Sequence, residues 1–359
     1  MRFFLFIKNI IKRICFSKIL FIAFILLTAL FLIFSPQFIF NKNNFLTNLS
    51  LILTDNDQPK SVLTLWHVET FEGGSANRAK YLEKIAFNFN KQNKKRFIVI
   101  KTINENQLYL NISQNNFADI YSFGVGSGYL LSSVLADLDI NNNIRKDILS
   151  FCYMQEDLLA YPYLLSSYVL ISKNDNFNVN KNKNFYELVV GLKGFINPAR
   201  ALFFDDYKFL KEKCNLDITS YEAYCEFVEG RGNNLIGTMR DYARVKNRER
   251  LGSISNCKYK LLSGYTDLIQ CIGINKTLST EKLKMAKDFC NFITQQQSQN
   301  LIRDYGLFSV GYNKIYDKDE MSNFENQLLK STLNVANVFD SVELIEKNKE
   351  TYLKKYFSN

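Results

Sequence analysis

The sequence is poorest in histidine: among 359 residues there is one, His67. A histidine-based metal cluster is therefore excluded, and any Ser-His-Asp triad would have to run through that single imidazole. No G-x-S-x-G elbow accompanies it, so a hydrolase of that type has no visible nucleophile. His67 follows Trp66 at the end of an apolar alternation and reads as a hydrogen-bonded structural or ligand-facing group. Tryptophan also occurs once, and proline only four times. With abundant lysine and asparagine, that skew reads as base composition rather than disorder, because a hydrophobic content of 47% is enough for a core. The seven cysteines, at 15, 152, 214, 225, 257, 271 and 290, contain no C-x-x-C pair. Zinc-like spacing is absent too, so no metal site is expected. Several sit in apolar helical patterns, where cysteine is a small buried hydrophobe, and mostly free, buried thiols are expected.

Two further patterns fall short of chemistry. Asp205 and Asp206 are sequence neighbours whose carboxyls would point apart in a strand, whereas a glycosidase pair must face one cleft. Gly124, Gly126 and Gly128 open like a dinucleotide fingerprint, but the third glycine of G-x-G-x-x-G would fall on Tyr129. A tight strand-to-helix turn lining a cleft is the expectation there. The 14% aromatic content, with 31 Phe and 20 Tyr, fills cores far more often than it stacks on ligands. Only aromatics at strand ends beside polar residues inform: Trp66, Phe71, Tyr163, Tyr242 and Tyr265.

What the chain does have is a 22-residue apolar run at 19–40. At about 1.5 Å per residue it reaches roughly 33 Å as a helix, enough to span a bilayer. A signal-peptide core is shorter and ends at a small-residue cleavage site, which Ser35, Pro36 and Gln37 do not supply. Five basic residues (Arg2, Lys8, Lys12, Arg13, Lys18) and no acidic one precede the run, so residues 1–18 are expected in the cytoplasm and the rest outside the cell. Cys15 precedes the run, whereas a lipid-modified cysteine should follow it. The net charge of +10 leans on those five. Beyond them stand 40 basic against 35 acidic residues, a mixed surface without the basic stripe of a nucleic-acid binder. Residues 41–60 read as a polar linker, and about 300 residues follow, enough for two lobes.

Along that remainder, 62–66 reads as a strand and 79–90 as a helix, with Ala79, Leu82, Ile85, Ala86 and Phe89 on one face. A second strand at 97–100 completes a βαβ unit and implies a parallel sheet. A strand at 117–123, a helix at 129–138, a strand at 168–172 and a loop at 173–184 follow. A helix is expected at 282–294, and the last forty residues should form one or two more, with Leu328, Leu329, Leu333, Val342, Leu344 and Ile345 as core candidates.

Five stretches stand in a familiar order. The first is Leu-Thr-Leu-Trp-His at 63–67, with Gly73, Gly74 and the helix beyond. The second is Ala-Asp-Ile-Tyr-Ser-Phe-Gly at 118–124, with Leu-Ala-Asp-Leu at 135–138. The third is Leu-Ala-Tyr-Pro-Tyr at 159–163, with Tyr-Val-Leu-Ile at 168–171. The fourth joins 221–227 to Asn-Leu-Ile-Gly-Thr-Met-Arg-Asp at 234–241. The last comprises Gly273, Ile274, the helix at 283–294, Gln299 and 306–310. Together they resemble the extracellular solute-binding proteins of ABC importers, of the large carbohydrate-binding family 1 type. Alanine replaces the usual proline at 118, and two departures stand out: a membrane anchor replaces the lipid-anchoring cysteine, and the chain is somewhat shorter than many relatives.

The resemblance implies an α/β, two-lobed periplasmic-binding-protein-like fold over 61–359, with ligand held between lobes. Lobe one would be 61–122 plus 266–308, and lobe two 123–264 plus 310–359. Crossovers would lie near 121–124, 264–270 and 308–311. The implied ligand-binding set is Trp66, Glu69, Arg78, Tyr163, Arg240, Asp241, Tyr265 and Asp267. Trp66 and Tyr265 would stack on the ligand, while Arg240, Asp241 and Asp267 would take its hydroxyls. The implied function is capture of a carbohydrate or polyol for ABC permease subunits by a monomer, without catalysis, cofactor or nucleic acid. A sensor ectodomain reporting to a membrane partner is the alternative, and an anchored carbohydrate-active enzyme a third.

Overall fold

The structure is a computed structural model that describes residues 61–69, 77–93, 96–173, 188–205 and 218–357, all within one unit, Pro59–Asn359. The expected cytoplasmic segment at 1–18, anchor at 19–40 and linker at 41–60 lie outside these residues, as do Phe71, Gly73, Gly74, Asp206, Cys15, Cys214 and most of the loop at 173–184. No helix among the described residues is long and apolar enough to cross a membrane.

The chain opens with β1 (Ser61–Val68), α1 (Arg78–Gln92) and β2 (Arg96–Ile103). Asn77 caps α1 by accepting from the Ala79 N–H at 2.7 Å. The apolar face expected from spacing is buried throughout, together with Tyr81. Then come α2 (Glu105–Ser113), closed by an Asn104–Gln107 capping box, and β3 (Ile120–Gly124). The helix expected at 129–138 shrinks to one turn, α3 (Gly128–Leu131). Leu135 instead forms a bridge to Asn275, just past the interior strand β12, with its side chain over Gly273 of that strand. Next are α4 (Lys146–Leu149), the hairpin β4 (Tyr153–Met154) and β5 (Asp157–Leu158), then β6 (Tyr161–Leu165) and β7 (Tyr168–Ser172).

The middle of the chain supplies β8 (Leu188–Val190), α5 (Pro198–Phe204), α6 (Ser220–Val228), β9 (Asn234–Thr238), α7 (Met239–Arg250) and β10 (Lys258–Leu262). After β11 (Tyr265–Thr266) and β12 (Ile269–Ile274) come α8 (Thr280–Thr294), α9 (Gln296–Gln299), α10 (Glu320–Lys330), β13 (Asn334–Val335) and α11 (Val342–Phe357).

Two main sheets result. The first has the order β2-β1-β3-β12-β6, with β1 parallel to β2 and β3, and β12 antiparallel to β3 and β6. The second, β10-β7-β9-β8, has β7 antiparallel to β9 and β10, and β8 parallel to β9. Strands β3, β6, β7, β9 and β12 are buried along their whole length, as near-continuous apolar runs covered on both faces should be. Phe89 of α1 meets Phe289 and Phe292 of α8 edge-on at 5.2 and 5.5 Å, joining helices far apart in sequence. Strand β6 belongs to the first sheet. One detail differs from the sequence reading. Val342 and Leu344 are 39% and 43% exposed, whereas Leu328, Leu333 and Ile345 are core. The thiols of Cys152, Cys225, Cys257, Cys271 and Cys290 are free, and all but Cys225 are buried.

The glycine-rich turn after β3 is held from two sides. Gly126 has φ +94°, a conformation other residues rarely adopt, and a Cβ there would meet the Phe195 ring at 2.6 Å. A Cβ on Gly128 would lie 2.2 Å from the Val338 carbonyl oxygen. Backbone cannot give way as a flexible side chain can. Gly128→Ala is therefore expected to lower stability by about 1–3 kcal/mol, the range of overpacked cores, read as a fall in the urea midpoint at unchanged slope.

Candidate functional site

In open α/β sheets, ligands bind in the crevice beyond the carboxyl ends of parallel strands, where the strand order reverses. Here that point is the end of β1 and β3, which β2 and β12 flank on opposite sides.

A buried polar network forms its floor. Register pairs His67 of β1 with Ser122 of β3, and His67 Nδ1 lies 2.9 Å from Ser122 Oγ. That hydroxyl is also 2.8 Å from the Tyr163 hydroxyl and accepts from Gln270 Nε2 at 3.0 Å. Arg78, at the start of α1, donates to Gln270 Oε1 at 2.7 Å. Burial, and secondarily the Arg78 charge, pull the His67 pKa down to about 3, so the imidazole is neutral at physiological pH. The Ser122–His67 contact resembles half of a triad. His67 Nε2, however, has no hydrogen-bond partner, so no carboxylate orients the ring, and both residues are inaccessible to substrate. The arrangement is a satisfied network with one spare imidazole nitrogen, without the parts of a nucleophile.

Just past β3, a cavity of about 20 Å³ has room for roughly one water. Its wall includes Val125 from the glycine turn, Asn197 and Arg200 from the start of α5, Tyr265 and Asp267 around β11, and Asp340 ahead of α11. Asn197 followed by Pro198 at the first helical position fixes where α5 begins, and this aims Arg200 at Tyr265. The guanidinium carbon sits 4.5 Å from the Tyr265 ring centre, 5.2 Å from that of Tyr352 and 5.8 Å from that of Phe204. Asp267 is buried and accepts from the Tyr168 hydroxyl at 2.5 Å, the Asn197 N–H at 2.6 Å and the Tyr265 hydroxyl at 3.4 Å. Burial pushes its carboxyl up, while the Tyr168 hydroxyl and the Asn197 N–H pull the other way. Lys349 of α11 donates to the Leu192 and Gly194 carbonyls and so fastens α11 beside the cavity.

The residues expected from sequence are distributed unevenly. Tyr265 and Asp267 line the cavity, while Arg78 and Tyr163 belong to the floor. Glu69 is exposed just past β1. Trp66, expected as a stacking platform, is instead 5% exposed, packed edge-on against Tyr121 at 6.0 Å, because alternation turns it to the face opposite His67. Asp241, expected to take hydroxyls, is a capping residue: it accepts from the Thr238 N–H and hydroxyl, from Ser220 and from Arg244. Arg240 is half-buried in the first turn of α7. Tyr265 also differs from a bare platform, since Phe204 and Arg200 already cover its ring. Sequence reading missed Arg200, Asn197 and Asp340. The Asn-Pro helix start was a visible signal for the first two, and Asp340 had none.

No family model matches the sequence, and no curated protein matches it either. Solved structures do match. The sugar-binding protein MalE of Xanthomonas citri aligns with TM-score 0.59 at 11% identity, covering 82% of this chain and 90% of its own. The spermidine/putrescine ABC transporter substrate-binding protein PotD of Streptococcus pneumoniae gives 0.56 at 11%, covering 84% and 98%. The GacH receptor of Streptomyces glaucescens, solved unliganded and with acarbose, gives 0.55 at 12%, covering 83% and 98%. The described domain thus has the mixed α/β, periplasmic-binding-protein-like fold of ABC substrate-binding proteins. At these identities the likeness is one of fold.

Proposed function

We propose that this chain is a membrane-anchored extracellular solute-binding protein that captures a carbohydrate or related polyol and delivers it to ABC permease subunits. The observation that carries the reading is the cavity just past the carboxyl end of β3, where Arg200, Asp267, Asp340 and Tyr265 converge. A few polar groups set in an apolar and aromatic wall are what fixes a small solute. The present volume is too small for a whole sugar, so binding requires the lobes about the β11–β12 segment to part and then close on it, a hinge motion common to such folds. The apolar run at 19–40 supports the anchor, and the basic residues before it support an outward-facing domain. The polar network around His67 lacks a catalytic arrangement, which favours binding over turnover.

A thermal-shift screen of the full chain in detergent against neutral sugars, sugar acids, amino sugars and polyols tests this. A solute present at 100 times its Kd should stabilise the native state by about 2.7 kcal/mol, a rise of several degrees. A flat response across the whole library would remove the solute-binding reading.

A further inference from the structure

Two thiols meet against the first sheet. Cys271 of β12 and Cys152, at the end of a single helical turn at 150–152, place their sulfurs 3.6 Å apart. Both are fully buried, although 119 positions separate them along the chain. Successive side chains of a strand point to opposite faces. Gln270 is engaged with Ser122 and Arg78, so Cys271 turns to the other face, where Cys152 lies. The segment that carries Cys152 acts as a clasp. The Phe151 carbonyl accepts from the Val338 N–H. Arg145 donates to the Leu328 and Ser331 carbonyls, and Asp147 accepts from the Leu333 N–H. Residues 145–152 thus join the stretch at 328–338 to strand β12.

Resting on the reading of an outward-facing domain, we propose that Cys152 and Cys271 are a disulfide-forming pair that staples this clasp to β12 outside the cell. Disulfides persist in oxidising compartments and are rare in the cytoplasm. Bonded sulfurs lie about 2.05 Å apart, so closure from 3.6 Å takes a movement of about 1.5 Å, shared between two side chains. The oxidant is itself a disulfide, either a small one such as oxidised glutathione or that of a thiol oxidoreductase. One protein thiolate attacks it, forming a mixed disulfide and releasing one thiol. The second protein thiolate then displaces the other. Two protons and two electrons leave the protein, and the oxidant ends as two thiols. Burial pushes the Cys271 thiol well above the usual range, and neither sulfur is exposed. Exchange therefore belongs to the folding chain rather than to the finished fold, and the same burial shields the bond once it is made. A loop of this length, once closed, removes more freedom from the unfolded chain than a short one would.

Peptide mapping of the full chain tests the pair. Membranes are dissolved in urea with N-ethylmaleimide, which caps every free thiol as the fold opens, and the protein is digested without reduction. One cross-linked species joining the Cys152 and Cys271 peptides is expected, with neither residue capped. Capping of both, or linkage of either to another cysteine, would overturn the proposal. Refolding the reduced chain in a glutathione redox buffer shows which premise failed. A pair capped in membranes that links on refolding contradicts the outward placement, and one that links in neither contradicts the pairing. Urea unfolding in detergent, with and without a phosphine reductant, supplies the second readout. The wild type should lose about 1 M of midpoint on reduction, and Cys271→Ala, lower at the outset, should lose none. An unchanged wild-type midpoint, or an equal loss in Cys271→Ala, would overturn the staple. Neither readout needs a solute, so a flat thermal-shift screen would leave the staple standing.

Discussion

Lowering the pH from about 6.5 toward 3 is expected to destabilise the fold by about 1.4 kcal/mol per pH unit through His67 alone. The unfolded chain takes up a proton on its only imidazole near the ordinary histidine value. The folded chain, with that ring buried next to Arg78, does not do so until about pH 3. Between the two values the unfolded state binds more protons, so stability falls as pH falls, by on the order of 5 kcal/mol across the window. Above 6.5 both states are neutral at this site and its contribution is constant. The buried carboxyls of Asp241, Asp267 and Glu325 act in the opposite sense, because burial raises each of them in the folded state. The His67 contribution is therefore isolated by difference. Urea unfolding of wild type and His67→Asn from pH 7.5 to 4 should give a gap that changes steadily below about 6.5 and is flat above. A gap independent of pH would show that the ring is not held neutral by the network.

Replacing Asp267 by alanine is the second large effect. The carboxylate collects the Tyr168 hydroxyl, the Asn197 N–H and the Tyr265 hydroxyl, tying β7 and the start of α5 to the segment between β11 and β12. Alanine leaves all three donors without that acceptor, and each group left unsatisfied costs about 1–3 kcal/mol. A loss of about 3 kcal/mol or more is expected in chemical denaturation, together with loss of solute binding as Arg200 and Tyr265 lose their support. Asp267→Asn keeps one acceptor oxygen and should recover part of the stability. Equal stability of wild type and Asp267→Ala would mean that these donors find water instead and that the residue does not organise the site.

How far the sequence foretold this architecture depends on how local each signal was. The β1-α1-β2 unit was legible because the apolar spacing of Ala79, Leu82, Ile85, Ala86 and Phe89 lies within one window, although Ser75 was the expected cap and Asn77 is the residue that caps α1. The helix at 282–294 was legible for the same reason. The segment at 129–138 was not: its apolar residues suit a helix locally, but Leu135 is claimed by Asn275, far along the chain. Strand β6 could not be assigned to its sheet from sequence, since its partner β12 lies about a hundred residues later. At the site, the family resemblance is what points to Tyr265 and Asp267, which line the cavity. Thr238 and Asp241 stand at capping-box spacing, and Asp241 caps α7. The Asn-Pro start of α5 stands beside Arg200 in the sequence, but it marks a helix start and not that Arg200 and Asp340 meet at one cavity.

The central claim is that solute enters at the carboxyl end of β3 and is held by the cavity wall. Hydrogen exchange read by mass spectrometry, with and without the best solute from the thermal-shift screen, tests it most directly. Ligand should slow exchange in three separate stretches, the glycine turn at 124–128, the start of α5 at 195–201 and the segment at 264–270, while the outer helix α2 is unchanged. Protection confined to other surfaces, with these three stretches exchanging as in the free protein, would contradict the account.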